Sequence, residues 1–118
     1  RLRCDWSSDV CSSDLYQNTG VCFFGHTHVP LTFIRENNSV TGGKYHKLTI
    51  EKGKKYFINV GSVGQPRDGD PRAGYAIYDL KAGTIELRRL EYDFEKTQAK
   101  ILEAGLPERL ANRLALGK

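Results

Sequence analysis

Between Val21 and Glu91 the apolar positions come in short runs or alternate with polar ones, the two-residue period of β-strands. From Asp93 onward they recur at the spacing of a helix face. Val21–Gly25 reads as a short buried strand. Leu31–Glu36 and Tyr45–Glu51 alternate apolar with polar, and Asn37–Gly43 reads as the turn-rich connection between them. Lys55–Val60 is a further strand, set up by the tight turn Lys52-Gly53-Lys54. Residues 61–72 carry three glycines and two prolines without hydrophobic periodicity, and read as a loop. Gly74–Leu80 and Thr84–Glu91 form a hairpin across Lys81-Ala82-Gly83. Phe94, Thr97, Ile101 and Leu102 mark one helical face that ends at Gly105, and Pro107 opens a second helix over Glu108–Leu116, stopped by Gly117. Five or so strands followed by two helices make an α/β chain of the α+β kind. As the tail of a longer chain, the same order fits half of a β-sandwich flanked by helices.

The first fifteen residues are set apart from this pattern. Trp6–Leu15 back-translates in frame to a string that resembles a standard short-read sequencing adapter, and Cys4 and Asp5 fit its extension. Residues 1–15 are therefore expected to be a non-native leader, to be excluded from fold reasoning; a natural Ser/Asp-rich tail is the alternative. Authentic sequence is then expected from about Tyr16, with residues 16–118 forming the C-terminal part of a truncated domain.

Charge and cysteine content change the picture little. The chain of 118 residues carries a formal charge of +4. Its positive residues are scattered, and the one run, Glu51-Lys52-Gly53-Lys54-Lys55, sits between two strand-like segments as a solvated turn. Nucleic acid is not an expected partner, whereas a small anionic substrate is compatible with this balance. Cys4 and Cys11 fall in the leader, and Cys22 stands alone in an apolar run, so a disulfide framework is not expected and a reducing cytoplasm fits. No stretch approaches the roughly 20 apolar residues of a membrane span.

Two segments carry candidate chemistry. Gly25-His26-Thr27-His28-Val29-Pro30 follows directly on the apolar Val21–Phe24. In an extended chain His26 and His28 would project from the same face, roughly 7 Å apart. Such a pair can serve one metal ion, or two held about 3.5–4 Å apart as in two-metal phosphoesterase sites; a surface turn with incidental histidines is the alternative. The second segment, Ile58–Arg72, runs from a strand into a glycine-rich turn with backbone amides expected to be free, then presents Arg67 and Arg72. Free amides and guanidinium forks suit a phosphate. Equally, the segment can be a surface loop whose arginines pair Asp68 and Asp70.

Together GHTHVP, the INVGSVGQPRDGDPRAGYAIYD stretch and the closing LEYDFEKTQAKILEAGLPERLANRL resemble the C-terminal part of the calcineurin-like metallophosphoesterase superfamily. The last of these looks like the helical tail of a bacterial subgroup named metallophosphatase or diadenosine tetraphosphatase-like. The resemblance implies the C-terminal half of a metallophosphoesterase β-sandwich. It further implies a metal-dependent hydrolase of phosphomonoesters, phosphodiesters or dinucleoside polyphosphates, in which a hydroxide bridging two divalent ions attacks phosphorus. His26 would ligate one ion and His28 the other, with Mn, Fe and Zn all compatible with such donors. Arg67 and Arg72 are candidates to contact the substrate phosphate, and Gly61 and Ser62 to line its pocket, on loop composition and position.

The family's DxH, GDxxD and GNH(D/E) motifs and its catalytic histidine, all expected upstream, have no match here. His46 lies downstream in an alternating segment and reads as a surface residue. Catalytic metal sites usually present at least three protein ligands, so this chain alone is expected to be inactive while its intact parent is active. A non-catalytic interaction scaffold on the same fold is the competing reading, and the retained histidine pair weighs against it. A nuclease of the same superfamily is disfavoured by the lack of a clustered basic face.

Overall fold

The computed structural model describes residues 19–118. The expected leader, and the onset of authentic sequence at Tyr16, lie outside these described residues. Among these residues seven strands form two sheets, followed by two helices. The strands are β1 (Val21–Phe24), β2 (Leu31–Glu36), β3 (Ser39–Gly43), β4 (Lys47–Thr49), β5 (Lys55–Asn59), β6 (Ala73–Asp79) and β7 (Thr84–Leu90); the helices are α1 (Phe94–Glu103) and α2 (Glu108–Leu116). One sheet has the order β1-β5-β2-β3 and the other β4-β7-β6.

β5 is the organising strand of the first sheet. It pairs parallel with β1, Val21 opposite Tyr56 and Phe24 opposite Asn59, and antiparallel with β2 on its other flank. Its inward residues Tyr56 and Ile58 meet Ile85 of β7 and Tyr45 in a core where the two sheets face each other. Ile58 and Ile85 are fully buried. The Tyr45 hydroxyl donates to the Asn59 carbonyl at 3.2 Å, and burial pushes its pKa up to about 12 against the opposing charge of Arg89.

Three strand expectations are corrected. Ser39–Gly43 is a strand rather than a connection: a two-residue turn with Asn37 at φ 54° returns the chain antiparallel along β2, from Glu36 opposite Ser39 to Thr32 opposite Gly43. It carries no apolar alternation because every residue of it is exposed, as suits a strand at the sheet's end. Gly42 lets the Phe33 ring lie against the β3 backbone, since a Cβ there would stand 2.7 Å from the ring. The expected strand Tyr45–Glu51 contracts to Lys47–Thr49 and crosses to the second sheet, where it pairs β7. β1 is less buried than its apolar sequence suggests. It lies at the end of its sheet among the described residues, and Phe23 remains 46% exposed.

The 73–90 hairpin forms as expected, in register from Ala73 opposite Leu90 to Asp79 opposite Thr84. Asp93 caps α1 by accepting from Lys96 N–H at 2.9 Å. At its other end Gly105 and Leu106 donate back to Leu102 and Ile101, closing a Schellman motif. α2 ends at Gly117, which is left-handed at φ 62° and lies against the 61–72 loop. A Cβ on Gly117 would stand 2.7 Å from the Asp70 backbone nitrogen, so only glycine permits this approach. Among the described residues no helix is long and apolar enough to cross a membrane.

Candidate metal centre

β1 and β5 run parallel and finish side by side, Phe24 opposite Asn59. The segments that follow them therefore emerge together: the histidine turn after β1 and the glycine-rich loop after β5. A crevice outside the carboxyl ends of parallel strands is where α/β sheets commonly place ligands.

The histidine turn is not extended, contrary to the geometry expected for an i, i+2 pair on a strand. His26 has φ 74° and His28 φ 62°, both in the left-handed region that β-carbon-bearing residues rarely enter. The Thr27 N–H donates to the Gly25 carbonyl at 3.0 Å, which closes a γ-turn of the rarer hand around His26. Backbone held this way costs on the order of 1–3 kcal/mol per residue and persists only where surrounding contacts enforce it. His26 is exposed and His28 half-buried.

Those contacts come largely from the second loop. The His28 Nδ1 lies 2.8 Å from the Gln65 carbonyl oxygen. A carbonyl can only accept, so Nδ1 carries the proton and the Nε2 lone pair of the neutral ring is left available. Arg67 N–H donates to the His28 carbonyl at 3.1 Å, and Gly61, at φ 85°, packs against Pro30 where a Cβ would stand 3.0 Å from the proline ring. His28, Gly61 and the Arg67 backbone are thus brought together. His46 is exposed in a bend before β4, away from the end of β1 and β5.

The loop amides are more engaged than its glycine content suggests. Gly61 N–H is taken by Asn59 Oδ1, Gln65 N–H by Ser62 Oγ, Gly69 N–H by the Gly117 carbonyl and Arg72 N–H by Asp70 Oδ1. The expected row of free amides is therefore corrected at these positions: side chains and the end of α2 saturate them. Ser62 also accepts Gly74 N–H through its carbonyl, so it ties the loop's start to β6.

The two arginines differ in setting. Arg67 is exposed, with Nη2 3.3 Å from Gln65 Oε1. Arg72 closes a fork on Asp70, with Nη2 2.7 Å and Nε 3.0 Å from its oxygens, beside a cavity of about 330 Å³ lined with Tyr92 and Phe94. Asp70 and Asp68 also face Arg89 of β7, which bonds Asp68 and donates to the Arg72 carbonyl. The pairing of loop arginines with loop acids foreseen for Arg72 occurs; the partner of Asp68 is instead Arg89, which the loop sequence alone does not reveal.

The Arg72 fork holds the Asp70 carboxyl down to about 2, burial opposing. A folded pKa below the ordinary 3.8 stabilises the fold above about pH 4, and this contribution is lost as pH falls through about 2. The thermal midpoint is expected to drop over that interval, and Asp70→Asn to flatten the drop. An equally steep profile in the variant would remove Asp70 from the account.

Among the described residues no group of three or more His, Cys, Asp or Glu side chains is close enough to hold a metal ion. His26 and His28 form a candidate pair rather than a full donor set, and the His28 ring is oriented by a carbonyl, as metal-ligating imidazoles usually are. As a pair they would fit two contributors to a shared centre. The residues missed in sequence are Asn59, Thr27, Gln65 and Arg89. Only Asn59 carried a signal, a polar residue directly after the apolar Tyr56-Phe57-Ile58.

A sequence model described as the calcineurin-like phosphoesterase superfamily domain matches residues 8–83. An uncharacterized protein of Methanocaldococcus jannaschii is 43% identical over 105 residues, which cover 89% of this chain and 42% of that protein. A crystal structure of a metallophosphoesterase from Sphaerobacter thermophilus matches with a TM-score of 0.77 at 41% identity, over 93% of this chain and 48% of that one. The chain spans about half the length of the relatives it matches.

Proposed function

The chain belongs to the calcineurin-like phosphoesterase superfamily, and from that premise we propose that it supplies two metal ligands, His26 and His28, to a metal-dependent phosphoesterase completed by further residues in the full-length protein. The observation that carries this reading is the 2.8 Å contact between His28 Nδ1 and the Gln65 carbonyl, which leaves Nε2 as a ready ligand. Divalent ions, when bound, supply Lewis acidity toward a phosphoryl oxygen and lower the pKa of water. Mn, Fe and Zn all suit imidazole donors completed by carboxylates.

The remaining roles fall to this chain's own side chains. Arg67 is the better candidate for the substrate phosphate, since its guanidinium is exposed and its backbone is bonded to His28. Arg72 is already engaged by Asp70 and acts on substrate only if that fork opens. Gly61 packs on Pro30 and Ser62 fastens the loop, so both shape the segment beside the histidine turn where the substrate would lie. A small phosphorylated substrate in the cytoplasm is the setting that best suits this arrangement. A purely scaffolding role draws no support from a tautomer-fixed imidazole.

Metal removal tests the reading. Full-length protein stripped with a chelator is expected to lose hydrolysis of an aryl phosphate and to regain it when Mn²⁺ is added back. Activity indifferent to the chelator would sink the proposal.

A further inference from the structure

We propose that Asn59 is the positioning residue for both histidine ligands, acting through Thr27; this rests on the metal-ligand reading above. Asn59 ends β5 fully buried. Its Nδ2 donates to the Gly25 carbonyl and to Thr27 Oγ1, each at 2.9 Å, while its Oδ1 accepts Gly61 N–H at 2.8 Å. These partners fix the carboxamide's orientation, because a carbonyl demands a donor and an N–H demands an acceptor.

The two donated bonds fall on either side of the ligands. The Gly25 carbonyl that receives Asn59 is the same one that closes the turn around His26. The Thr27 hydroxyl that receives the other bond also accepts Val29 N–H at 3.4 Å, and so spans His28. Each left-handed histidine is therefore bridged by a hydrogen bond whose acceptor is held by one buried side chain. The third bond, to Gly61, fixes the start of the loop whose Gln65 carbonyl orients the His28 ring. The Asn59 side chain bonds the turn and the loop, and so sets the backbone from which both imidazoles project.

Mn²⁺ affinity of metal-stripped, full-length protein, measured by titration calorimetry, tests this directly. Asn59→Asp keeps the acceptor for Gly61 but sets an oxygen against the Gly25 carbonyl. Thr27→Val removes the hydroxyl at nearly constant volume, and Thr27→Ser retains it. Outer-shell partners commonly govern metal affinity by about 10- to 100-fold. Asn59→Asp and Thr27→Val are each expected to weaken Mn²⁺ binding by at least about tenfold, with Thr27→Ser close to the parent. The melting midpoint of the metal-free protein, read alongside, separates this from a loss of fold. Should Asn59→Asp fail to fold, the Thr27 pair decides. Parent-like affinity in folded Thr27→Val would overturn the inference. His28→Ala in the same titration isolates the underlying reading: if it too binds as the parent does, the ligand assignment itself fails. If His28→Ala loses the metal while Thr27→Val keeps it, only the positioning role falls.

Discussion

On the proposed assignment, replacing His28 with alanine in the full-length protein is expected to lower metal-dependent phosphate-ester hydrolysis by more than about a hundredfold, because losing a direct ligand should exceed the 10- to 100-fold attached to outer-shell partners. The same holds for His26→Ala. Both side chains leave one short turn, so neither can be replaced by a neighbour: Thr27 between them is spent on Asn59 and Val29. The two variants should differ in one respect. His28 is half-buried and bonded to Gln65, so its loss also removes one tie to the glycine-rich loop, whereas His26 is exposed. Raised Mn²⁺ concentration is therefore expected to recover more activity in His26→Ala than in His28→Ala. Initial rates across a metal series measure this; rates equal to the parent in either variant would remove that residue from the ligand set.

Arg89→Met is the stability change with the largest expected effect outside the hydrophobic core. Arg89 and Asp68 each keep only 13% of their side-chain surface exposed, and Arg89 also donates to the Arg72 carbonyl. Removing the cation leaves the Asp68 carboxylate half-enclosed without its partner, and its Oδ1 is already buried with no hydrogen bond. Breaking a buried pair from one side costs about 3 kcal/mol at the low end of its range, the end appropriate to a pair that retains some water contact. Removing both charges, in Asp68→Asn with Arg89→Met, should recover most of that loss, since neither ion is then stranded. Denaturant midpoints of the single and double variants decide the matter. A single variant as stable as the parent would show that the pair contributes nothing.

Sequence periodicity carried the hairpin of β6 and β7 and both helices, because each depends on local signals: the alternation of Gly74–Leu80, the Asp93 cap and the glycines at 105 and 117. It failed at β3 for an equally physical reason. A strand exposed on both faces has no apolar side to alternate, so Ser39–Gly43 looks like a loop. The expected β4 is too long because Tyr45, which alternates correctly, is buried by packing in the core between the sheets, its hydroxyl on the Asn59 carbonyl, rather than by pairing in a strand. At the site, the histidines were legible by type and spacing, but their left-handed backbone was not. That conformation is imposed by Asn59, thirty-odd positions along the chain, through contacts no local pattern encodes. The loop's glycines likewise suggested open amides, while their partners come from Ser62, Asp70 and the distant Gly117.

The parallel pairing of β1 with β5 has a consequence for the order in which the molecule assembles. β1 comes first in the described chain, yet its strand partner is made only after β2, β3 and β4, and β5 enters the sheet between β1 and β2. The β2–β3 hairpin can close early, since its two-residue turn demands little loop entropy, whereas seating β1 requires closing residues 25–54 into one loop. Long-range parallel contacts of this kind form slowly. A chain emerging from the ribosome therefore exposes His26 and His28 well before Asn59 arrives to set them, and the histidine turn takes its left-handed form only once β5 has entered the sheet.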